Sequence, residues 1–161
     1  MLALLFFPTA LGKDPASRVL VLFSHNRVLP ANSELEEGFR EGIGRHGRNV
    51  EIFAEFLDIV RFPERSHAES MTRYLCERYA TRPPDVIVAI GPQSIGFLAG
   101  HREQLFPGTP VVIAGFTDRD LIAAGAITEV TGRPMAWTIE PILQEIPKCR
   151  PDIRRLHLIA G

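Results

Sequence analysis

Gly91, Pro92, Gln93 and Ser94 stand together where the apolar run Asp85 to Ile90 gives way to a segment of helical period. A glycine lets a bound group approach the backbone, a proline suits the first helical position, and a first-turn serine offers a hydroxyl beside amides that lack intrahelical partners. That set suits a carboxylate or carbonyl of a small ligand; equally, Gly-Pro makes a turn and Ser94 caps the helix. Three further loops follow apolar runs in the same way. They hold Ser24, His25 and Asn26; Asp58; and Phe116, Thr117 and Asp118. Asp58 and Asp118 suit an amine or hydroxyl, or serve as turn and cap residues. His25 is the one histidine in these loops, and Phe116 either stacks on a ligand or plugs the end of a sheet.

Catalytic templates find no match. Gly91 to Gly96 (GPQSIG) has Pro92 where a nucleophile elbow needs glycine, and the glycines between Gly38 and Gly47 lie inside a helical pattern instead of opening it. A phosphorylatable receiver domain would carry aspartate where Gly91 stands. No Walker loop or zinc motif appears, so no catalytic residue, metal or cofactor is expected.

The elements that must position these loops alternate short apolar runs with longer helical periods, as a helix-wrapped parallel sheet does. Strands are predicted at Arg18–Ser24, Val50–Leu57, Asp85–Ile90, Val111–Ala114, near Ile127–Thr131 and at Arg155–Ala160. Partial alternation puts the second near the sheet edge; the continuous apolarity of the third puts it in the centre. Helix starts are read from capping boxes at Ser33/Glu36 and Ser66/Glu69. Buried stripes are expected from Leu35, Phe39 and Ile43, from Met71, Leu75 and Tyr79, and from Ile95, Leu98 and Leu105. A short helix is expected from Asp118 to Ala124, and another over Thr138–Ile146. In such sheets ligands bind beyond the carboxyl ends of the strands, where all the loops named above belong.

Composition narrows the classes. Of 161 residues, 45% are hydrophobic and 23% charged, which suits a packed core. Eighteen basic and 19 acidic side chains leave a formal net charge of -1, no field to gather nucleic acid. Cys76 and Cys149 form no C-x-x-C, and whether they pair stays open. The apolar run Met1–Gly12 is too short to span a bilayer. Residues 1–17 read as the remnant of an export signal or membrane anchor, or else as an apolar first helix packed on the domain. The apolar stretch at Arg155–Ala160 has no covering helix after it, so the protein is expected to continue past Gly161.

The segments RVLVLFSHNRVLPANSELEEGFREGI, VEIFAEFLDIVRF, RPPDVIVAIGPQSIGFLAGHREQLFPGTPVVIAGF and TIEPILQEIPKCRPDIRRLHLIAG resemble the extracytoplasmic sensor region of some bacterial sensor histidine kinases. That region is itself similar to the ABC-transporter substrate-binding family. The resemblance spans Arg18 to Gly161. It implies an α/β fold, a three-layer parallel-sheet lobe of periplasmic-binding-protein-like (flavodoxin-like) type. Residues 18–131 would form the first ligand-binding lobe, and residues 132–161 the hinge crossover and truncated start of a second. It further implies a small polar solute held between lobes, on the periplasmic face of the inner membrane, with membrane anchorage and homodimerisation of the full-length protein as possibilities. By position, Ser24, His25, Gln93, Ser94, Phe116 and Thr117 would line the cleft. Two other classes stand beside this one: a cytosolic flavodoxin-like nucleotide- or phosphate-binding enzyme domain, and a ligand-free dimerisation domain of a receptor.

Overall fold

The computed structural model describes residues 16–45, 49–118, 120, 125, 130–135, 140–155 and 157. Five strands, β1 (Ser17–Phe23), β2 (Val50–Phe56), β3 (Val86–Ile90), β4 (Val111–Ala114) and β5 (Val130–Gly132), pair in the order β2-β1-β3-β4-β5, every pair parallel. Helices α1 (Pro30–Arg45), α2 (Arg65–Arg78), α3 (Pro92–His101) and α4 (Glu140–Cys149) punctuate them. The chain is an α/β protein of the flavodoxin-like or periplasmic-binding-protein-like lobe type. As expected, β3 is central and β2 lies at an edge.

Successive strand residues point to opposite faces, which divides the core in two. On one face Leu20, Leu22, Ile87, Ala89 and Ile113 pack with Leu75 and Tyr79 from α2 and its C-terminal cap and with Ile95 and Leu98 of α3. On the other, Val19, Val21, Phe23, Val88 and Ile90 meet Phe39 of α1. Fully burying one such large side chain is worth about 1.5–3 kcal/mol, so the first face, with the longer roll of buried residues, contributes most of the stability.

Two helix starts differ from expectation. α1 begins at Pro30, three residues before Ser33, because the Asn32 amide donates to the Asn26 carbonyl (2.8 Å) and anchors the first turn to the preceding loop. α2 begins at Arg65 with Glu64 as its N-cap and no side-chain cap, while Glu69 pairs with Arg65 (2.9 Å) instead of reaching back to Ser66. Leu35 is 47% exposed, so only Phe39 and Ile43 of the α1 stripe turn inward. Leu105 is buried as predicted, but in the loop after α3. The predicted helix over Thr138–Ile146 corresponds to α4, which runs on to Cys149; Thr138 and Ile139 lie outside the described residues. The segment Met1–Pro15, most of the short helix after Asp118 and most of the strand at Arg155–Ala160 lie outside the described residues.

At the edge, Glu51 pairs with Arg82 (2.6 Å), and Glu55 with Arg78 (2.9 Å) and the Tyr79 hydroxyl (2.7 Å). Burial, then that hydrogen bond to Glu55, holds the Tyr79 phenol far above its usual range. It therefore remains a donor throughout physiological pH. Cys76 and Cys149 are both free thiols; burial, then Glu77, raises the Cys76 thiol, whose Sγ donates to the Gln104 carbonyl (3.3 Å).

Arg18 and Asp85 tie the starts of β1 and β3. The Arg18 amide donates to Asp85 Oδ2 (2.8 Å) and its guanidinium to Oδ1 (3.0 Å). The side-chain hydrogen bonds from Arg18, and next its backbone N–H, hold the Asp85 carboxyl below the usual carboxylate range. A depressed folded pKa adds stability above the unfolded pKa and loses it as pH falls through the folded value. Asp85→Asn is therefore expected to be less stable than the parent at neutral pH, with the gap in chemical-denaturation midpoint closing below the Asp85 pKa. A gap that persists unchanged into acid would sink this assignment.

Candidate functional site

Because all five strands run parallel, the exits of β1, β3 and β4 share one rim, and the order reverses between β1 and β3, where a parallel sheet opens a crevice. The predicted residues gather there. Their polar atoms, however, divide into those held by the protein and those left to solvent.

Ser24 is 2% exposed and Ser94 is fully buried. The Ser24 hydroxyl donates to the Ile90 carbonyl (2.9 Å) and accepts the Ser94 amide (3.0 Å). The Ser94 hydroxyl lies 2.9 Å from the Ile90 carbonyl and 2.8 Å from that of Gly91, sharing its one proton between them. Ser24 thus fills the position at the α3 N-terminus that a ligand oxygen would take, and Pro92 has no N–H to offer. Both serines act as fasteners between β1 and α3.

Gly91 makes this contact possible. Its φ of 89° favours glycine, its amide donates to the Ala114 carbonyl (2.9 Å), and a Cβ there would stand 2.7 Å from Ser24 Oγ. Gly115, at φ 65°, brings the β4 exit close enough that its own Cβ would lie 3.5 Å from the Gly91 amide nitrogen. The following Phe116 is 1% exposed and belongs to the core, plugging the sheet end.

Thr117 donates through its amide (2.7 Å) and its hydroxyl (2.8 Å) to the Asp120 carboxylate, one half of a capping box, while the Asp120 amide goes to the Thr117 carbonyl (3.0 Å); the pattern is readable in sequence as Thr-x-x-Asp. Asn26 is held by the Val28 amide (3.0 Å) and by Asn32, itself 5% exposed. Asp58 adopts φ 50°; its carbonyl receives the Arg61 and Phe62 amides, and its carboxylate stands 3.7 Å from Arg61. It is a turn residue beside β2, off the reversal point.

Three predicted side chains, those of His25, Gln93 and Asp118, remain uncommitted among the described residues. His25 is half-buried and Gln93 exposed, and each is one residue from the Ser24–Ser94 bond. Asp118 is also exposed, next to the Thr117 cap. Arg27, which sequence reasoning missed, lies with its guanidinium 5.6 Å above the Phe56 ring, and Phe56 stacks on Phe23 at 4.8 Å. Its position depends on a β1 loop and a β2 ring, so no local spacing announces it. His67 was also missed: its Nε2 donates to the Leu57 carbonyl (2.7 Å), pinning α2 below the β2 exit.

Among the described residues no cluster of three metal-ligating side chains occurs, and no helix is long and apolar enough to cross a membrane. The open concavities of about 460 Å³ beside Tyr79 and Phe106, and of about 620 Å³ beside α1, lie away from the rim.

No protein-family model and no curated protein matches this sequence. Among solved structures, the chain is similar to the crystal structure of a conserved domain protein from Vibrio cholerae O1 biovar El Tor, with a TM-score of 0.60 and 19% identity. The match covers 86% of this chain and 45% of that one, so the chain spans less than half of the similar protein. At this identity the likeness shows the fold.

Proposed function

We propose that this chain is one lobe of an extracytoplasmic protein that binds a small polar solute. It would act as the sensory input of a histidine kinase or as the substrate-binding component of an ABC transporter. The observation that carries this reading is the shared exit rim at the β1/β3 reversal, where His25, Gln93 and Arg27 keep polar groups free above a floor of fastened backbone. An open shelf of this kind grips a guest firmly only when a second wall closes over it, and closure is how such proteins report occupancy. A carboxylate or carbonyl suits the donors on offer.

The alternative reading, a cytosolic flavodoxin-like nucleotide- or phosphate-binding enzyme domain, draws less support. Its phosphate would need the first-turn amides of α3, and the Ser24 hydroxyl already holds the Ser94 amide.

Amide-resolved NMR titration with small carboxylates, amino acids and sugars, alongside phosphate and nucleotides, tests the proposal. A solute of the first group is expected to perturb residues 24–27 and 91–93. The double variant His25→Ala/Gln93→Ala should weaken it at least about tenfold, some 1.4 kcal/mol, without unfolding the lobe. Perturbations mapping elsewhere, or a response to phosphate and nucleotide alone, would reject it.

A further inference from the structure

Of the polar groups left free at the strand exits, Arg27 is the one that the fold fixes in place without neutralising. The backbone around it is tied down twice: the Asn26 side chain accepts the Val28 amide (3.0 Å), and the Asn26 carbonyl accepts the side-chain amide of Asn32 (2.8 Å), itself 5% exposed. The side chain then rests on an aromatic stack. Its guanidinium lies 5.6 Å above the Phe56 ring, and Phe56 lies on the fully buried Phe23 with 10° between the ring planes. A ring face attracts a cation through its quadrupole and supplies no counter-charge. Among the described residues no carboxylate pairs with Arg27, and no oxygen accepts from its N–H groups. Arg61 at the β2 exit, by contrast, stands 3.7 Å from Asp58.

The surroundings set the charge of the guest. Arg27 lines an open concavity of about 350 Å³ with Ser33, Glu36, Glu37, Arg40 and Glu41. Glu36 belongs to Arg40 (2.8 Å) and Glu41 to Arg45 (2.9 Å), which leaves Glu37 as the unpaired acid of that wall among the described residues. A guanidinium fork matches a carboxylate through two parallel N–H···O bonds. Beside an unpaired acid, a guest with one negative charge is favoured over a polyanion, because each further charge adds repulsion from Glu37 without a second unpaired arginine to meet it.

We infer, on the solute-binding reading above, that Arg27 determines the specificity of the rim and that the solute it selects is a monocarboxylate. The carboxylate forms a bidentate pair with Arg27 on the β1/β2 side, and Phe56 is the positioning residue beneath the guanidinium.

NMR titration of the full chain with two matched pairs, butyrate against butyramide and benzoate against benzamide, and with inorganic phosphate, reads the backbone amides together with the Arg27 Nε–H signal. Each carboxylate is expected to bind at least about tenfold more tightly than its amide and to shift the Arg27 Nε–H, with phosphate weaker than either carboxylate. Arg27 is exposed, so Arg27→Ala leaves the core intact and should bring each carboxylate level with its amide. Arg27→Lys keeps the charge without the fork and should restore only part of the preference. Phe56→Leu should shrink the preference although the charge is unchanged. A preference that survives Arg27→Ala, a parent that answers both members of each pair alike, a response to sugars alone, or phosphate binding more tightly than the carboxylates overturns the monocarboxylate assignment and leaves solute binding standing. Silence of residues 24–27 and 91–93 toward every one of these probes, and toward amino acids and sugars, overturns both.

Discussion

Gly91→Ala is expected to destabilise the lobe by about 2–4 kcal/mol, combining the strain of a non-glycine residue at positive φ with the loss of a buried hydrogen bond. The added methyl would stand 2.7 Å from Ser24 Oγ, so the hydroxyl must rotate away from the Ile90 carbonyl or the Ser94 amide. At about 2–4 °C per kcal/mol for a chain of this size, the melting temperature should fall by roughly 5–15 °C. Gly108 separates the two causes. It too has positive φ, 80°, but a Cβ there meets nothing within 4 Å, so Gly108→Ala registers backbone strain alone. If the two variants melt together, the close approach of Ser24 and Gly91 is not what holds β1 against α3.

Arg102→Ala is expected to cost at least about 3 kcal/mol, because it orphans several buried carbonyls at once. Arg102 is 8% exposed, and its guanidinium donates to the carbonyls of Leu105 (3.2 Å), Phe106 (2.9 Å) and Thr109, gathering the loop that leads from α3 into β4. No carboxylate pairs with it among the described residues, and its Nε finds no acceptor. The planar fork reaches three acceptors in fixed geometry, which a lysine ammonium cannot reproduce. Arg102→Lys should therefore recover part of the loss and no more. Urea unfolding of the three proteins measures this; a lysine variant equal to the parent would show that charge alone suffices.

The sheet was legible in the sequence because its signals are local and collective. The unbroken apolarity of Val86–Ile90 marks a strand covered on both faces, and the alternating Glu51, Phe53 and Glu55 mark an edge. Placing the loops at one rim followed from parallel pairing. What the side chains do there was not legible. Ser24 and Ser94 are 70 residues apart, and nothing near either shows that they meet. Arg102 has the composition of an ordinary surface cation; only the folded loop around it reveals its use. The capping boxes at Ser33 and Ser66 failed for a related reason: the first turn of α1 is anchored from the preceding loop by Asn32 on Asn26, and Glu69 pairs with Arg65 instead of reaching back to Ser66.

The ion pairs along β2 bear on how the molecule avoids uncontrolled association. An edge strand offers unpaired amides and carbonyls to any passing chain, and natural proteins commonly blunt such edges with charge. A strand arriving beside β2 would have to dehydrate Glu51 with Arg82 and Glu55 with Arg78, and recover little by doing so. Edge-to-edge pairing into fibres is thereby disfavoured at this border.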